Sequence, residues 1–382
     1  MRVPARKAAA AVTVAMLALS TPAPAAAVPT RTIAPASPAS LAAAAYARMT
    51  TGQRAGQLLM GAVPGDRSTA KARAALGRYE VGNAVLLGQS NAGIGAAASL
   101  LEPVRRTLTQ AEVLPFLAVD QEGGEVQHLK GPGFSTIPSA LRQGRLAAQT
   151  LRSKWVRWAS QLHRAGINLD LAPVSDVVPR SIGVANQPIG RYHREYGHTP
   201  AVVSTHVAAV VRGIRDAGLD ATAKHFPGLG RATGNTDTSA RVTDPTTADD
   251  PYLRPFARAI TAGAAVIMVS TAVYPSIDAE NEAAFSHLIT TTILRGQLGF
   301  TGIIVSDSLT AASVSAYTYA SRAVRALDAG VDILLVGKNA PVAAMTAAIA
   351  DRTRTDAEFA SVVRTAVLRV LTAKAQAGLI TT

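Results

Sequence analysis

The stretch Ala221-Thr222-Ala223-Lys224-His225-Phe226-Pro227-Gly228-Leu229-Gly230 changes character within a few residues. Its first part is apolar and ends in the pair Lys224-His225, and the long loop that follows is rich in Gly, Thr, Asn and Asp and carries Asp237. An apolar run of this kind is typical of a strand that is buried on both faces of a parallel sheet. Polar side chains at the end of such a strand, next to a long loop, indicate a ligand site.

Seven other short apolar runs, nearly continuous in Val, Ile, Leu and Ala, occur along the chain. Together with Ala221–His225 they predict eight strands, and they are Gln57–Val63, Asn83–Gly88, Phe116–Asp120, Ile167–Pro173, Val266–Ser270, Ile303–Asp307 and Asp332–Gly337. Segments with helical spacing lie between them, as in Ile94–Leu108 and Pro200–Ala217. Eight strands that alternate with helices predict an α/β fold of the (β/α)8 TIM-barrel type. An open doubly wound sheet is the alternative, but no Gly-x-Gly-x-x-Gly turn follows the first run.

Polar residues close or follow five of these runs, and they are Asp120, Asp176, Lys224, His225, Ser270 and Asp307. In a parallel barrel the carboxyl ends of all strands face one rim, and active sites form there. Any one of these aspartates by itself could be a helix cap or a turn residue. Their common position predicts a ligand site.

The N-terminus predicts export. Basic residues begin the chain, a short apolar run spans Ala8–Leu19, and Ala25-Ala26-Ala27 suits a signal peptidase. We expect a signal peptide over residues 1–27, a flexible Ala/Pro-rich leader over 28–45 and one barrel domain over 46–380. A retained membrane anchor is the alternative, but the run is shorter than the roughly 20 residues that span a bilayer.

Composition excludes several classes of function. The chain has no cysteine, which rules out disulfides, thiolate metal sites and a lipid anchor on cysteine. The net charge of +13 allows association with anionic cell-wall polymers, although an ordinary solvated surface is the simpler interpretation. Scattered arginines without interleaved aromatic residues argue against nucleic acid. Nothing marks an interface, and we expect a monomer.

Six stretches together resemble one family, the single-domain bacterial β-N-acetylglucosaminidases of glycoside hydrolase family 3. They are Thr50–Met60, Ala118–Gly124, Gly166–Val174, Lys224–Gly230, Leu298–Asp307 and Ala326–Asp332. The resemblance implies a TIM barrel, hydrolysis of terminal β-linked N-acetylglucosamine with retention, a carbohydrate substrate from cell-wall or chitin fragments, and no metal or organic cofactor. A β-glucosidase-type hexosidase is the alternative within enzymes. Metal-dependent and serine hydrolases are disfavoured, because HxH, HExxH and GxSxG patterns are absent.

The resemblance also implies roles for individual residues. Asp307 is similar to the catalytic nucleophile of the family. Asp120, Lys224 and His225 resemble the residues that hold the sugar hydroxyls, and Arg191 resembles an arginine that contacts the substrate. A carboxylate at a strand end can attack an anomeric carbon and form a covalent intermediate, which agrees with the role of Asp307.

One departure from the family concerns the general acid. Active members carry an Asp-x-His pair in the loop after Lys224–Gly230, and the matching positions here are Asn235 and Asp237. Asp237 can itself be the acid if its pKa is raised. A histidine from another loop, His193 or His198, can take the role instead. The third interpretation is a catalytically silent carbohydrate-binding barrel.

Overall fold

The computed structural model describes residues 1–2, 4–5, 7–17, 36–66, 68–232 and 234–381. Eight parallel strands form its central sheet, and they are β1 (Leu59–Pro64), β2 (Asn83–Leu87), β3 (Phe116–Val119), β4 (Leu169–Asp170), β5 (Asp220–Phe226), β6 (Val266–Val269), β7 (Ile303–Ser306) and β8 (Leu334–Val336). All eight predicted apolar runs are therefore strands.

The strands pair in the order β7-β6-β5-β4-β3-β2-β1-β8. A parallel bridge between Val305 and Ile333 joins the two ends of this order, and the Ser306 amide donates a hydrogen bond to the Ile333 carbonyl at 2.9 Å. The sheet is thus nearly closed, as a TIM-like barrel requires. Nearly every residue of these strands is buried, which explains why the runs are continuously apolar.

Helices connect and surround the strands. They are α1 (Pro38–Arg48), α2 (Thr51–Gln57), α3 (Ala70–Arg78), α4 (Gly93–Leu108), α5 (Ala140–Gln143), α6 (Ala148–Arg164), α7 (Pro200–Asp216), α8 (Arg254–Ala262), α9 (Tyr319–Ala329), α10 (Val342–Thr355) and α11 (Ala357–Gln376), with a wider π-helix over Leu288–Gln297 between β6 and β7. No helix in the described part of the chain is long and apolar enough to cross a bilayer.

Local sequence accounts for where helices begin and end. Thr50 and Gln53 cap α2 reciprocally, since each side chain accepts a hydrogen bond of 3.1 Å from the backbone amide of the other. Thr318 caps the start of α9 through the Ser321 amide at 3.2 Å. Gly330 ends α9 with φ of 107°, a conformation that a side chain would strain.

The prediction of a flexible leader over residues 28–45 was wrong for its second part. Residues 38–45 belong to α1, which packs against α11. Ser37 caps the helix, Pro38 occupies its first turn, and Ala42 and Ala45 are buried. Alanine and proline suggested a linker, but alanine is the best helix former and proline is favoured at a helix start. Residues 28–35, and the predicted cleavage site after Ala27, lie outside the described residues.

Candidate active site

A cavity of about 520 Å³ opens among the loops that follow the strands. Pockets for small ligands have volumes of about 300–1,000 Å³, so a sugar unit can fit. Sequence analysis predicted roles for Asp120, Arg191, Lys224, His225, Asp237 and Asp307. All of these except Arg191 line this cavity. The parallel strands bring them together because β3, β5 and β7 all end at the same rim.

Lys224 binds two carboxylates at once. Its Nζ lies 2.5 Å from Asp120 Oδ1 and 2.6 Å from Glu122 Oε1, and the residue is 1% exposed. Burial by itself would lower the pKa of Lys224, but the charges of Asp120 and Glu122 outweigh burial and raise it. The ammonium is therefore charged, and it fixes Asp120 at the edge of the cavity.

Glu122 lies in the stretch Ala118–Gly124, but sequence analysis predicted no role for it. The structure shows that it contacts two cations of the site. Arg194 donates to both of its oxygens, from Nε to Oε2 at 2.8 Å and from Nη2 to Oε1 at 2.7 Å. Burial would raise the pKa of the Glu122 carboxyl, but Arg194 and then Lys224 hold this pKa well below its usual range. Glu122 thus joins Arg194 to Lys224 through charge-assisted hydrogen bonds.

The arginine of the site is Arg194, and the structure does not place Arg191 there. Arg191 is exposed, lies outside the cavity lining, and donates to Gln187 Oε1 at 2.9 Å. Arg194 lines the cavity and lies on the same loop, three residues later. Sequence alone could not choose between two arginines in one irregular segment. His193 between them has φ of 55°, so the chain direction changes there.

Asp176 orients His225. The Nδ1 of His225 lies 2.8 Å from Asp176 Oδ2, and the other oxygen of Asp176 accepts from the Leu229 amide at 2.8 Å. This arrangement assigns the proton to Nδ1 and leaves Nε2, which is 3.5 Å from Nη2 of Arg194, as the free acceptor. The imidazole can therefore accept a hydrogen bond from a sugar hydroxyl with a fixed ring orientation.

Asn186 connects the two loops that carry these residues. It is 0% exposed, its Nδ2 donates to the Leu229 carbonyl at 2.7 Å, and its Oδ1 accepts from the Gly190 amide at 2.9 Å. Leu229 follows β5, whereas Asn186 and Gly190 lie in the loop between β4 and α7. One amide side chain therefore ties the loop that carries Arg194 to the segment that follows His225.

Asp307 follows β7 and is only partly buried. Its backbone amide donates to the Val269 carbonyl at 2.7 Å, which continues the β6–β7 pairing by one residue. The Ser308 amide donates to Oδ1 at 2.7 Å, and no hydrogen bond with the described residues engages Oδ2. One carboxylate oxygen is thus held and the other is free to react.

Asp237 lies on the loop after β5, and this loop is tied to the chain that follows Asp307. The Ala312 amide donates to the Asp237 carbonyl at 3.4 Å, and the Ser313 amide donates to the Thr236 carbonyl at 3.0 Å. Asn235 accepts from the Asp237 amide at 2.9 Å, so it orders the turn and does not engage the Asp237 carboxyl. Asp237 is exposed, but the protein around it partly desolvates its carboxyl, and this effect and then the charge of Asp307 raise its pKa.

The histidines predicted as alternatives do not line the cavity. His193 is exposed, and His198 Nδ1 lies 3.0 Å from the Val178 carbonyl. His128 does line the cavity, with its Nδ1 buried and without a partner among the described residues. No sequence signal marked His128, because it belongs to a short antiparallel hairpin after β3, with strands Gln121–Gly123 and Val126–Gln127, and does not follow a strand of the barrel. Glu125 on the same hairpin also lines the cavity.

The cavity contains a hydrogen-bonded cluster of polar side chains and, apart from it, the carboxyls of Asp307 and Asp237. Asp120, Lys224, His225 and Arg194 offer fixed donors and acceptors to a polyhydroxylated ligand. Asp307 and Asp237 have different surroundings, and the raised pKa of Asp237 favours its protonated form. Glycoside hydrolysis uses two carboxyls in one cavity, one as the nucleophile and one with a raised pKa as the acid.

Comparison with known proteins identifies the family. A model of the glycosyl hydrolase family 3 N-terminal domain matches residues 50–373. A β-hexosaminidase of Stenotrophomonas maltophilia strain K279a is 36% identical over 291 residues, which are 73% of this chain and 82% of that protein.

Solved structures agree. The β-N-acetylhexosaminidase of Beutenbergia cavernae superposes with a TM-score of 0.83 at 45% identity, covering 85% of this chain and 98% of that one. A family 3 β-N-acetylglucosaminidase from Paenibacillus sp. strain FPU-7 gives a TM-score of 0.77 at 28% identity, covering 87% of this chain and 64% of that one. The chain belongs to glycosyl hydrolase family 3 and is a β-N-acetylhexosaminidase-like glycoside hydrolase.

Proposed function

We propose that this protein is an exported enzyme that removes terminal β-linked N-acetylglucosamine with retention, with Asp307 as nucleophile and Asp237 as acid/base. One observation carries the proposal. Asp307 and Asp237 line the same cavity, where desolvation by the surrounding protein and then the charge of Asp307 raise the pKa of Asp237, although this residue is exposed. The identity of the sugar comes from the β-N-acetylhexosaminidases to which the chain is similar.

In the first step a carboxylate oxygen of Asp307 attacks the anomeric carbon. The bond from this carbon to the leaving oxygen breaks, and Asp237 gives its proton to that oxygen. In the second step the ionised Asp237 takes a proton from water, the water oxygen attacks the anomeric carbon, and Asp307 leaves. Two inversions give net retention, and both aspartates return to their starting states.

The remaining residues hold the sugar during both steps. Asp120 accepts hydrogen bonds from hydroxyls, Lys224 and Arg194 donate, and Nε2 of His225 accepts. The charges of Asp120, Asp176, Glu122 and Asp307 exceed those of Lys224 and Arg194 when Asp237 is neutral. A net negative cavity favours the positive charge that develops on the sugar ring in the transition state. Arg194 takes the role that sequence analysis predicted for Arg191.

The substrate source and the location extend the proposal. Fragments of the cell wall or of chitin carry β-linked N-acetylglucosamine, and an exported enzyme would meet them outside the cell. The basic start of the chain, with its short apolar run and Ala25-Ala26-Ala27, supports export. Edman sequencing of protein from the culture medium tests this, and a mature N-terminus at Val28 is the expected result.

Hydrolysis of two N-acetyl-β-glucosaminides by wild type and Asp307→Asn tests the function. One substrate carries a dinitrophenolate leaving group, and the other carries a second sugar. Turnover of both, lost in Asp307→Asn, is the expected result. Turnover of only the activated substrate would mean that acid catalysis is missing. Turnover of neither, with binding of the sugar intact, would favour a silent carbohydrate-binding barrel, and turnover of a β-glucoside alone would favour a glucosidase.

A further inference from the structure

Asp170 is the last residue of β4, and it does not line the cavity. The residue is 0% exposed. Its Oδ1 accepts one hydrogen bond, from the Gln121 amide at 3.2 Å, and its Oδ2 is buried with no hydrogen-bond partner in the described part of the chain. A buried carboxylate needs a paired cation or several donors. A single long hydrogen bond from a backbone amide therefore stabilises a negative charge on Asp170 only weakly.

The ionisable groups that face Asp170 come from several elements, and they are Asp120, Glu122, Lys224 and Tyr196. Lys224 is the cation of this set. Its ammonium is already shared between Asp120 at 2.5 Å and Glu122 at 2.6 Å. Arg194 supplies the second cation, but both of its hydrogen bonds to a carboxylate go to Glu122. A third negative charge at Asp170 would have no cation of its own.

We propose that Asp170 is a positioning residue of the sugar-binding cluster and that it must stay protonated while the enzyme works. As a neutral acid it does not compete with Asp120 and Glu122 for the ammonium of Lys224. Asp120 then keeps the position in which its carboxylate can accept a hydrogen bond from a sugar hydroxyl. The inference rests on the proposed function, because its effect is measured through hydrolysis of the sugar.

The ionisation of Asp170 agrees with this role. Burial raises its pKa to about 8, the charges of Asp120 and Glu122 add to this, and the Gln121 amide and Lys224 oppose it. The carboxyl is thus neutral below this pH and becomes charged above it. The new charge attracts Lys224 and weakens its hold on Asp120. A single ionisation near pH 8 lowers kcat/KM about tenfold between about pH 7 and pH 9 if the ionised form is inactive.

The test compares wild type and Asp170→Asn on the dinitrophenyl glycoside from about pH 6 to pH 9.5. This leaving group departs without a proton, so ionisation of Asp237 does not lower kcat/KM. We expect wild-type kcat/KM to fall near pH 8. Asp170→Asn, which is always neutral, should lie within about threefold of wild type at pH 6.5 and lose the alkaline fall.

Two results would overturn the inference. One is an Asp170→Asn enzyme that keeps the alkaline fall. The other is a variant that is folded by circular dichroism but about a hundredfold slower at pH 6.5, which would mean that the charged carboxylate is required. If Asp170→Asn does not fold, the wild-type profile decides, because a rate that stays constant to pH 9.5 contradicts an essential proton.

The proposed function and the inference about Asp170 can fail separately. If neither glycoside is hydrolysed at any pH, the proposed function fails. Carboxyl-carbon NMR of the wild-type protein then tests Asp170 without turnover. An aspartate Cγ resonance that stays in the protonated range at pH 7, titrates near pH 8 and is missing from Asp170→Asn supports the inference, whereas ionisation of all aspartates at pH 7 overturns it.

Discussion

Arg194 donates two parallel hydrogen bonds to Glu122, at 2.8 and 2.7 Å, and Glu122 in turn contacts the ammonium of Lys224 at 2.6 Å. These contacts link the loop after β4 to the end of β5. Among the described residues, Arg194 forms a salt bridge only with Glu122, and Glu122 forms salt bridges with Arg194 and Lys224. The geometry of the cluster formed by Asp120, Glu122, Lys224 and Arg194 therefore depends on the planar guanidinium as much as on the charge of Arg194.

Arg194→Lys should lower kcat/KM about a hundredfold or more, because a lysine keeps the charge but cannot make the paired hydrogen bonds to a buried carboxylate. Steady-state kinetics on the dinitrophenyl glycoside measure this. Arg191→Lys is the matched control, since Arg191 is exposed and outside the cavity. A loss for Arg191→Lys equal to that for Arg194→Lys would contradict our assignment of the arginine.

Asp237→Ala should slow hydrolysis of the disaccharide about 10²–10⁴-fold, the usual contribution of a positioned acid. The first step on the dinitrophenyl glycoside should change much less, because its leaving group needs no proton. Added azide should then restore turnover by replacing water in the second step. Asp249→Ala is the control, because Asp249 is an exposed carboxylate in the same loop. Full activity of Asp237→Ala on the disaccharide would exclude Asp237 as the acid.

The activity on the disaccharide should fall as the pH rises through the pKa of Asp237. Asp237 must be protonated to act as an acid. Its raised pKa extends the pH range over which the carboxyl keeps its proton. The value of kcat/KM on the disaccharide is thus highest below this pKa and decreases as the pH rises through it. On the dinitrophenyl glycoside this fall should be absent, and only the loss caused by ionisation of Asp170 near pH 8 should remain. Identical alkaline limbs for the two substrates would show that Asp237 does not donate the proton.

Asp332→Ala should destabilise the fold by about 3–5 kcal/mol, as expected when one partner of a buried ion pair is removed. Asp332 is 0% exposed, and its Oδ2 accepts from Arg295 at 2.6 Å and from the Ile304 amide at 2.8 Å. These bonds lie where β7 meets β8, at the closure of the barrel. Urea unfolding followed by circular dichroism gives the free energy of unfolding.

Asp351→Ala is the control for Asp332→Ala. Asp351 pairs with Arg354 on the exposed surface of α10, and removing such a pair should cost less than about 1 kcal/mol. Similar losses for the two variants would mean that the buried cluster does not support closure.

The sequence alone identified all eight barrel strands, because strands buried on both faces must be continuously apolar. It also identified four residues that line the cavity, because the polar ends of parallel strands share one rim. Asp120, Lys224, His225 and Asp307 end or directly follow strands, so their positions depend only on the strand register. Asp237 was found through the family resemblance, not through strand spacing.

Only the tertiary structure decided which groups meet between loops. It placed Arg194 and not Arg191 in the cavity lining, and it paired Asp176 with His225. It also brought His128 into the cavity from the hairpin after β3. It also left Asp170 with a single amide donor beside charges from three other elements. These contacts join residues that lie far apart in the chain, and distances of this kind follow from closing the barrel. Local residue patterns carry no information about them, because each loop could satisfy its own propensities in many positions.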